Sequence, residues 1–300
     1  MIIKKETLLG ALMVITAGAC WGMTGTVRAI IAPAEASSLT VGSARVFASG
    51  SILFLYSFFF RRKSVFHKGW NFKGILLSAF GLTAYQFAFF PAVLLTGVGI
   101  GSLVGLGAAP IMAGFSGFLF FKEKLTPRWY TATCLAIAGC VLLVTSGGSD
   151  ELGHANIFGI FLALCAGMSY AYQGIGLRII GPRDPIETVS WINMFSGLMA
   201  LPCLIMGDIS WLAKPAGIFC VFMLSVVSTI LPSVLFAKGI LNLTLGKAYT
   251  LSLSEPLTAW FLSAVFLGER LSPAGFLGVS LLLLGIIILT LEKTSEDNSV

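Results

Sequence analysis

The sequence predicts an all-α integral membrane protein, with ten transmembrane helices arranged as two inverted five-helix repeats. Three observations carry this. The chain is 57% hydrophobic and only 11% charged, with a mean hydropathy of +0.94, whereas soluble domains carry ~25% charged residues. Ten apolar runs approach the ~20 residues that a helix needs to cross a bilayer core of ~30 Å. The chain also matches itself when shifted by about 146 residues.

The runs follow one another in order. The first, 8–30, sits behind a basic head, MIIKKETLLGALMVITAG, like a secretory leader. It continues to about Ile31, beyond the ~7–15 apolar residues of a cleavable segment, so it reads as a retained span. The next are 37–60, 74–95 and 98–121. The fifth, 129–146, is announced by Thr126 and Pro127, residue types suited to the N-cap and the first helical position. Then come 156–179, 188–207, 215–240 and 247–267. The tenth, 274–291, is announced by Ser272 and Pro273 in the same way. The connections are short, so neighbouring spans are antiparallel and no linker carries a soluble domain.

Direction follows from charge. Most of the 19 basic residues fall on one side if both termini are cytoplasmic, including the cluster RRKSVFHKGWNFK; basic connections stay inside. The net charge of +6 therefore reports topology and not nucleic-acid binding. The expected location is the plasma membrane, the inner membrane in bacteria. Cys20, Cys134, Cys140, Cys165, Cys203 and Cys220 all lie in apolar runs with no CxxC spacing, and His67 and His154 lie in separate loops. No metal site, disulfide framework or cofactor is expected.

The internal match is specific. FKEKLTP at 121–127 aligns with LGERLSP at 267–273, Pro110 with Pro256, Glu123 with Glu269 and Gly139 with Gly285. Near the front of each half the shift is about 149, pairing Gly10 with Gly159 and Gly25 with Gly174. Five spans is an odd number, so the second set enters upside down relative to the first, as in many secondary transporters. The predicted repeats are residues 1–147 and 153–292, with 293–300 a short cytoplasmic tail.

ACWGMTG in span one, the Pro110 segment and LSEPLTAWFLSAVFLGERLSP at 253–273 resemble the drug/metabolite transporter superfamily, in particular its ten-span EamA-type exporters. The resemblance covers about residues 8–292. It implies a 5+5 inverted repeat around a central cavity and export of small metabolites, often amino acids or related compounds. Ala109 stands where the second half has Glu255, so the halves are not chemically equivalent.

The glycine-rich stretch GVGIGSLVGLGAAP at 97–110 has neither the preceding strand nor the Lys-Ser/Thr of a phosphate loop. Gly97, Gly101 and Gly105 are four apart and predict one small helix face for close packing. Its counterpart, LTLGKAYTLSLSEP at 243–256, replaces glycines with leucines and adds Tyr249, Thr250, Ser252, Ser254 and Glu255. Span four predicts a packing surface and span nine a polar wall.

An ionised side chain at mid-membrane costs on the order of 2.5–3.5 kcal/mol, so it faces a cavity or a partner. Glu255 reads either as a contact for a substrate amine and carrier of a coupling proton, or as a helix-bend partner beside Pro256. Arg45 reads either as a grip for a substrate carboxylate or as a snorkelling side chain. Trp21, Tyr85, Gln86, Tyr170, Gln173, Trp191, Asn193, Tyr249 and Ser252 complete the candidate lining for a small, partly apolar solute. Trp191 is offset from the Ser190, Asn193, Ser196 stripe and also suits an interfacial anchor. Gly101, Gly105, Pro110, Pro232 and Pro256 are the predicted pivots of alternating access.

The expected function is secondary active or facilitated transport, not enzyme catalysis, since the spans hold no histidine or aspartate. The expected partners are a small-molecule substrate, the lipid bilayer and protons, with no nucleic acid, in a monomer or homodimer. An importer of the same fold, a membrane-embedded enzyme and a receptor are the alternatives.

Overall fold

The structure, a computed structural model, describes residues 5–32, 36–60, 69–146, 156–267 and 272–292. The basic segment 61–68, the acidic connection 147–155, residues 268–271 and the tail lie outside the described residues. The described residues form helices and connections, with no strand. The helices are α1 (Lys5–Ile31), α2 (Ser38–Phe59), α3 (Phe72–Gly97), α4 (Ile100–Phe121), α5 (Pro127–Ser146) and α6 (Ile157–Ile180). They continue with α7 (Pro185–Met206), α8 (Pro215–Asn242), α9 (Leu245–Leu251), α10 (Ser254–Leu262) and α11 (Pro273–Thr290). Eight of these, α1 to α4, α6 to α8 and α11, are long and apolar enough to cross a membrane.

Helix starts follow local chemistry. Thr126 accepts the Trp129 amide at 3.1 Å, and Ser272 accepts that of Gly275 at 3.2 Å, each just before a proline that opens its helix. Asn156 and Asp184 each accept two amides of the first turn of α6 and α7. These side chains satisfy donors that a helix leaves unpaired at its start.

Two expectations are corrected. Gly97 is not on the packing face. It has φ 84° and ψ 159°, a region open essentially to glycine alone, and there the chain reverses from α3 into α4. Gly101 and Gly105 do pack: a Cβ at Gly101 would lie 2.9 Å from Val93, and one at Gly105 would lie 3.4 Å from Phe89. Second, span nine is not one helix. It is α9, a break at Ser252–Leu253, then α10 and a π-helical turn over Ser263–Leu267. Pro256 explains the place, because a proline ring clashes with the carbonyl four residues earlier, here Ser252. The Glu255 amide bonds that carbonyl at 2.9 Å instead. Pro110 lies within the helical run of α4, and Pro232 lies just after a π-helical turn at Val226–Ile230.

Glycines set how the helices pair. Gly139 of α5 meets the Gly278 carbonyl of α11, and Gly285 of α11 meets the Ala132 carbonyl of α5. Gly50 of α2 meets the Met194 backbone of α7, while Gly197 of α7 meets the Phe47 backbone of α2. Gly10 meets Gly239 where α1 crosses α8, and Gly74 meets Gly176 where α3 crosses α6. Each approach is close enough that a side chain would force the backbones apart.

Candidate functional site

The centre of the bundle is an aromatic cluster drawn from separate helices. Tyr170 of α6 meets Trp21 of α1 at 6.0 Å, Tyr85 of α3 at 5.4 Å and Tyr249 of α9 at 4.8 Å between ring centroids. Phe236 of α8 meets Trp21 at 5.3 Å and Tyr249 at 5.4 Å. Edge-on and tilted rings of this kind pack favourably.

Arg45 of α2 and Glu255 of α10 lie beside this cluster. Each acts electrostatically on the other, and Tyr85 lies within reach of both. Among the described residues neither takes part in an ion pair. Arg45 Nη1 is buried with no hydrogen-bond partner, as are Oε1 of Gln86 and Oε1 of Gln173. Buried polar atoms are nearly always paired, so unpaired ones at a shared centre need an explanation. The Arg45 backbone is held by a Ser225 hydroxyl bond at 3.0 Å to its carbonyl. Gly22 of α1 packs against the Glu255 carbonyl, which keeps the acid at the start of α10.

The other candidate residues do different work. Tyr249 is fully buried, and its hydroxyl donates to the Tyr170 carbonyl at 2.6 Å. Ser252 donates to the Tyr249 carbonyl at 2.8 Å and pins the break in span nine. Asn193 donates to Ser49 at 3.1 Å and Ser196 shares a 2.7 Å bond with Thr83, so the stripe on α7 ties it to α2 and α3. Trp191 belongs to a separate aromatic group with Phe54, Phe72 and Phe195. The Tyr249 hydroxyl and Asn193 Nδ2 are thus spent on packing, whereas Asn193 Oδ1, like the Gln86 and Gln173 side-chain oxygens, is buried with no hydrogen-bond partner.

Sequence reasoning missed a second polar centre at the end of α4. It treated the Glu-x-Leu-Ser/Thr-Pro motif as a helix start only. Glu123 also forms an ion pair with Arg178 at 2.8 Å and accepts the Leu245 amide at 2.7 Å. Burial pushes the Glu123 carboxyl up from the usual glutamate range, while the Arg178 guanidinium and the Leu245 amide pull it back. Lys247 pairs with Glu292 at 3.4 Å, and Thr126 donates to Glu292 at 2.6 Å. The available signal was the repeat of glutamate itself, at Glu123 and Glu269; Glu269 lies outside the described residues.

The EamA-like transporter family matches residues 8–145 and again residues 157–291. The chain belongs to the EamA-like transporter family. Among its relatives, an uncharacterized transporter of Bacillus subtilis (strain 168), YwfM, is 35% identical over 95% of this chain and 96% of its own length. The uncharacterized inner membrane transporter YicL of Salmonella typhimurium is 26% identical over 96% of this chain and 97% of its own. A solved crystal structure of a protein matches the fold with a TM-score of 0.81 at 17% identity, covering 94% of this chain and 96% of that one. This EamA-family protein is accordingly a multi-pass membrane transporter, and its central cluster is the candidate place for its solute.

Proposed function

We propose that the transporter exports small metabolites, such as amino acids or related compounds, across the plasma (bacterial inner) membrane by alternating access. The observation that carries this is the central pair: Arg45, with a buried donor that has no hydrogen-bond partner, and Glu255 within its electrostatic reach, both beside the aromatic cluster. Arg45 takes the solute carboxylate, Glu255 its amine or a coupling proton, and Trp21, Tyr85 and Tyr170 cover its apolar body. Export is supported by the family resemblance, and the inner-membrane location by the Salmonella typhimurium relative, an uncharacterized inner membrane transporter. Both termini face the cytoplasm, supported by the distribution of basic residues.

The chain crosses the membrane ten times in this reading, with α5 and the broken α9–α10 rod adding to the eight long helices. Two inverted repeats, 1–147 and 153–292, are supported by reciprocal contacts. Shifting by 146 residues turns the Gly139–Gly278 contact into the Gly285–Ala132 contact, and a shift of 147 does the same for α2 and α7.

The test is efflux from proteoliposomes loaded with amino acids, amines and nucleosides, with and without a pH gradient. Selective release of zwitterions that falls at least ~10-fold in Glu255→Gln, in line with losing one charge-assisted contact, is the expected result. Release indifferent to Glu255 and to Arg45→Gln would sink the assignment.

A further inference from the structure

We propose that Glu123 and Arg178 form a latch that closes one end of the solute path by holding the first turn of α9, and that this end opens only when the pair parts. The latch joins three segments. Glu123 sits in the connection that follows α4, Arg178 in the last turn of α6, and the group they hold is the start of α9. Glu123 takes Arg178 on Oε1 and the Leu245 amide on Oε2, while Arg178 also donates to the Leu243 carbonyl. The pair therefore grips the backbone on both sides of Thr244, the residue that caps α9.

α9 is a buried helix of seven residues, separated from α10 by the Ser252–Leu253 break, so parting the latch requires its first turn to move but not the segment that carries Glu255. A second tie, Lys247 to Glu292, reaches the same turn from the far end of α11. Beside these charges α9 packs closely on α4, with Gly246 against Gly114 and Leu245 against Gly117. Apolar contacts between such faces slide, whereas a carboxylate with two directional donors has one seated geometry. Burial also charges the seated pair a desolvation cost, visible in the raised Glu123 carboxyl. Gln173 lies five residues deeper along α6 than Arg178, ~7.5 Å at the rise of an α-helix, so the latch stands between that end of the bundle and the central cluster.

A cysteine at Gln173 reads the path. Right-side-out and inside-out membrane vesicles holding full-length Gln173→Cys are exposed to a membrane-impermeant maleimide, and labelling of the peptide carrying position 173 is followed by mass spectrometry. Adding Glu123→Gln or Arg178→Gln is expected to speed labelling from the latch side at least ~10-fold, the loss of one charge-assisted hydrogen bond, with no gain from the other side. If Glu123→Gln fails to insert, Glu123→Asp keeps the charge but not the reach, and the same one-sided gain is expected. Unchanged latch-side labelling, or an equal rise from both sides, overturns the latch and leaves the pair as ordinary packing.

Discussion

α4 and the α9–α10 rod occupy matching places in the 146-residue register, yet one is a packing helix and the other a broken polar one. α4 keeps its helix through Pro110 and presents Gly101, Gly105, Gly114 and Gly117 to close neighbours. The rod breaks before Pro256 and spends its hydroxyls on bonds that hold the break: Ser252 to Tyr249, Ser254 to Ile15, Thr250 to Gly246 and Thr133. Both prolines remove one backbone bond. In the rod the Glu255 amide takes up the Ser252 carbonyl at 2.9 Å, and Gly18 of α1 packs closely against the break. The same punctuation gives a straight helix or a break depending on what lies against it.

The largest test transplants the acid. Ala109 is 2% exposed and faces the Gly167 surface of α6, with none of the charge complement that Arg45 gives Glu255. Ala109→Glu is expected to cost ~2.5–3.5 kcal/mol or more, seen as loss of membrane insertion or of monodisperse protein after extraction. Normal insertion would mean that the two halves are interchangeable after all.

A smaller effect is expected where α1 meets the break. A Cβ at Gly18 would lie 2.2 Å from Ser254 Oγ and 2.7 Å from the Ser252 carbonyl. Gly18→Ala should cost ~1–3 kcal/mol, as overpacking does, and lower the melting temperature in detergent. The smallest effect belongs to α4. Gly107 has only Ile137, at 4.0 Å, near a new Cβ. Gly107→Ala should be neutral or stabilise by up to ~1 kcal/mol through helix propensity. A large loss at Gly107 together with tolerance at Gly18 would reverse the comparison and place the tight surface on α4.

Membrane class, helix starts and the presence of two matched halves were legible in the sequence, because each is set by residues close together along the chain. Hydropathy needs only a window of neighbours, and a cap such as Thr126 acts three residues away. The candidate centre was partly legible too, since an acid and an arginine inside apolar runs must find company. Which polar residues remain available there was decided by the tertiary structure. Tyr249 and Ser196 are polar residues within apolar runs like Gln86 and Gln173, but neighbours from α6 and α3 take up their hydroxyls, while Asn193 bonds α2 through Nδ2 alone and keeps Oδ1 without a partner. Gly97 looked like its neighbours Gly101 and Gly105, and only the folding of α4 back onto α3 made it the turn. Glu123 and Arg178 are 55 residues apart, and the Leu245 amide that Glu123 accepts lies 122 residues beyond it. A bond over that separation depends on which helix ends converge, and no local pattern of charge or hydropathy encodes that convergence.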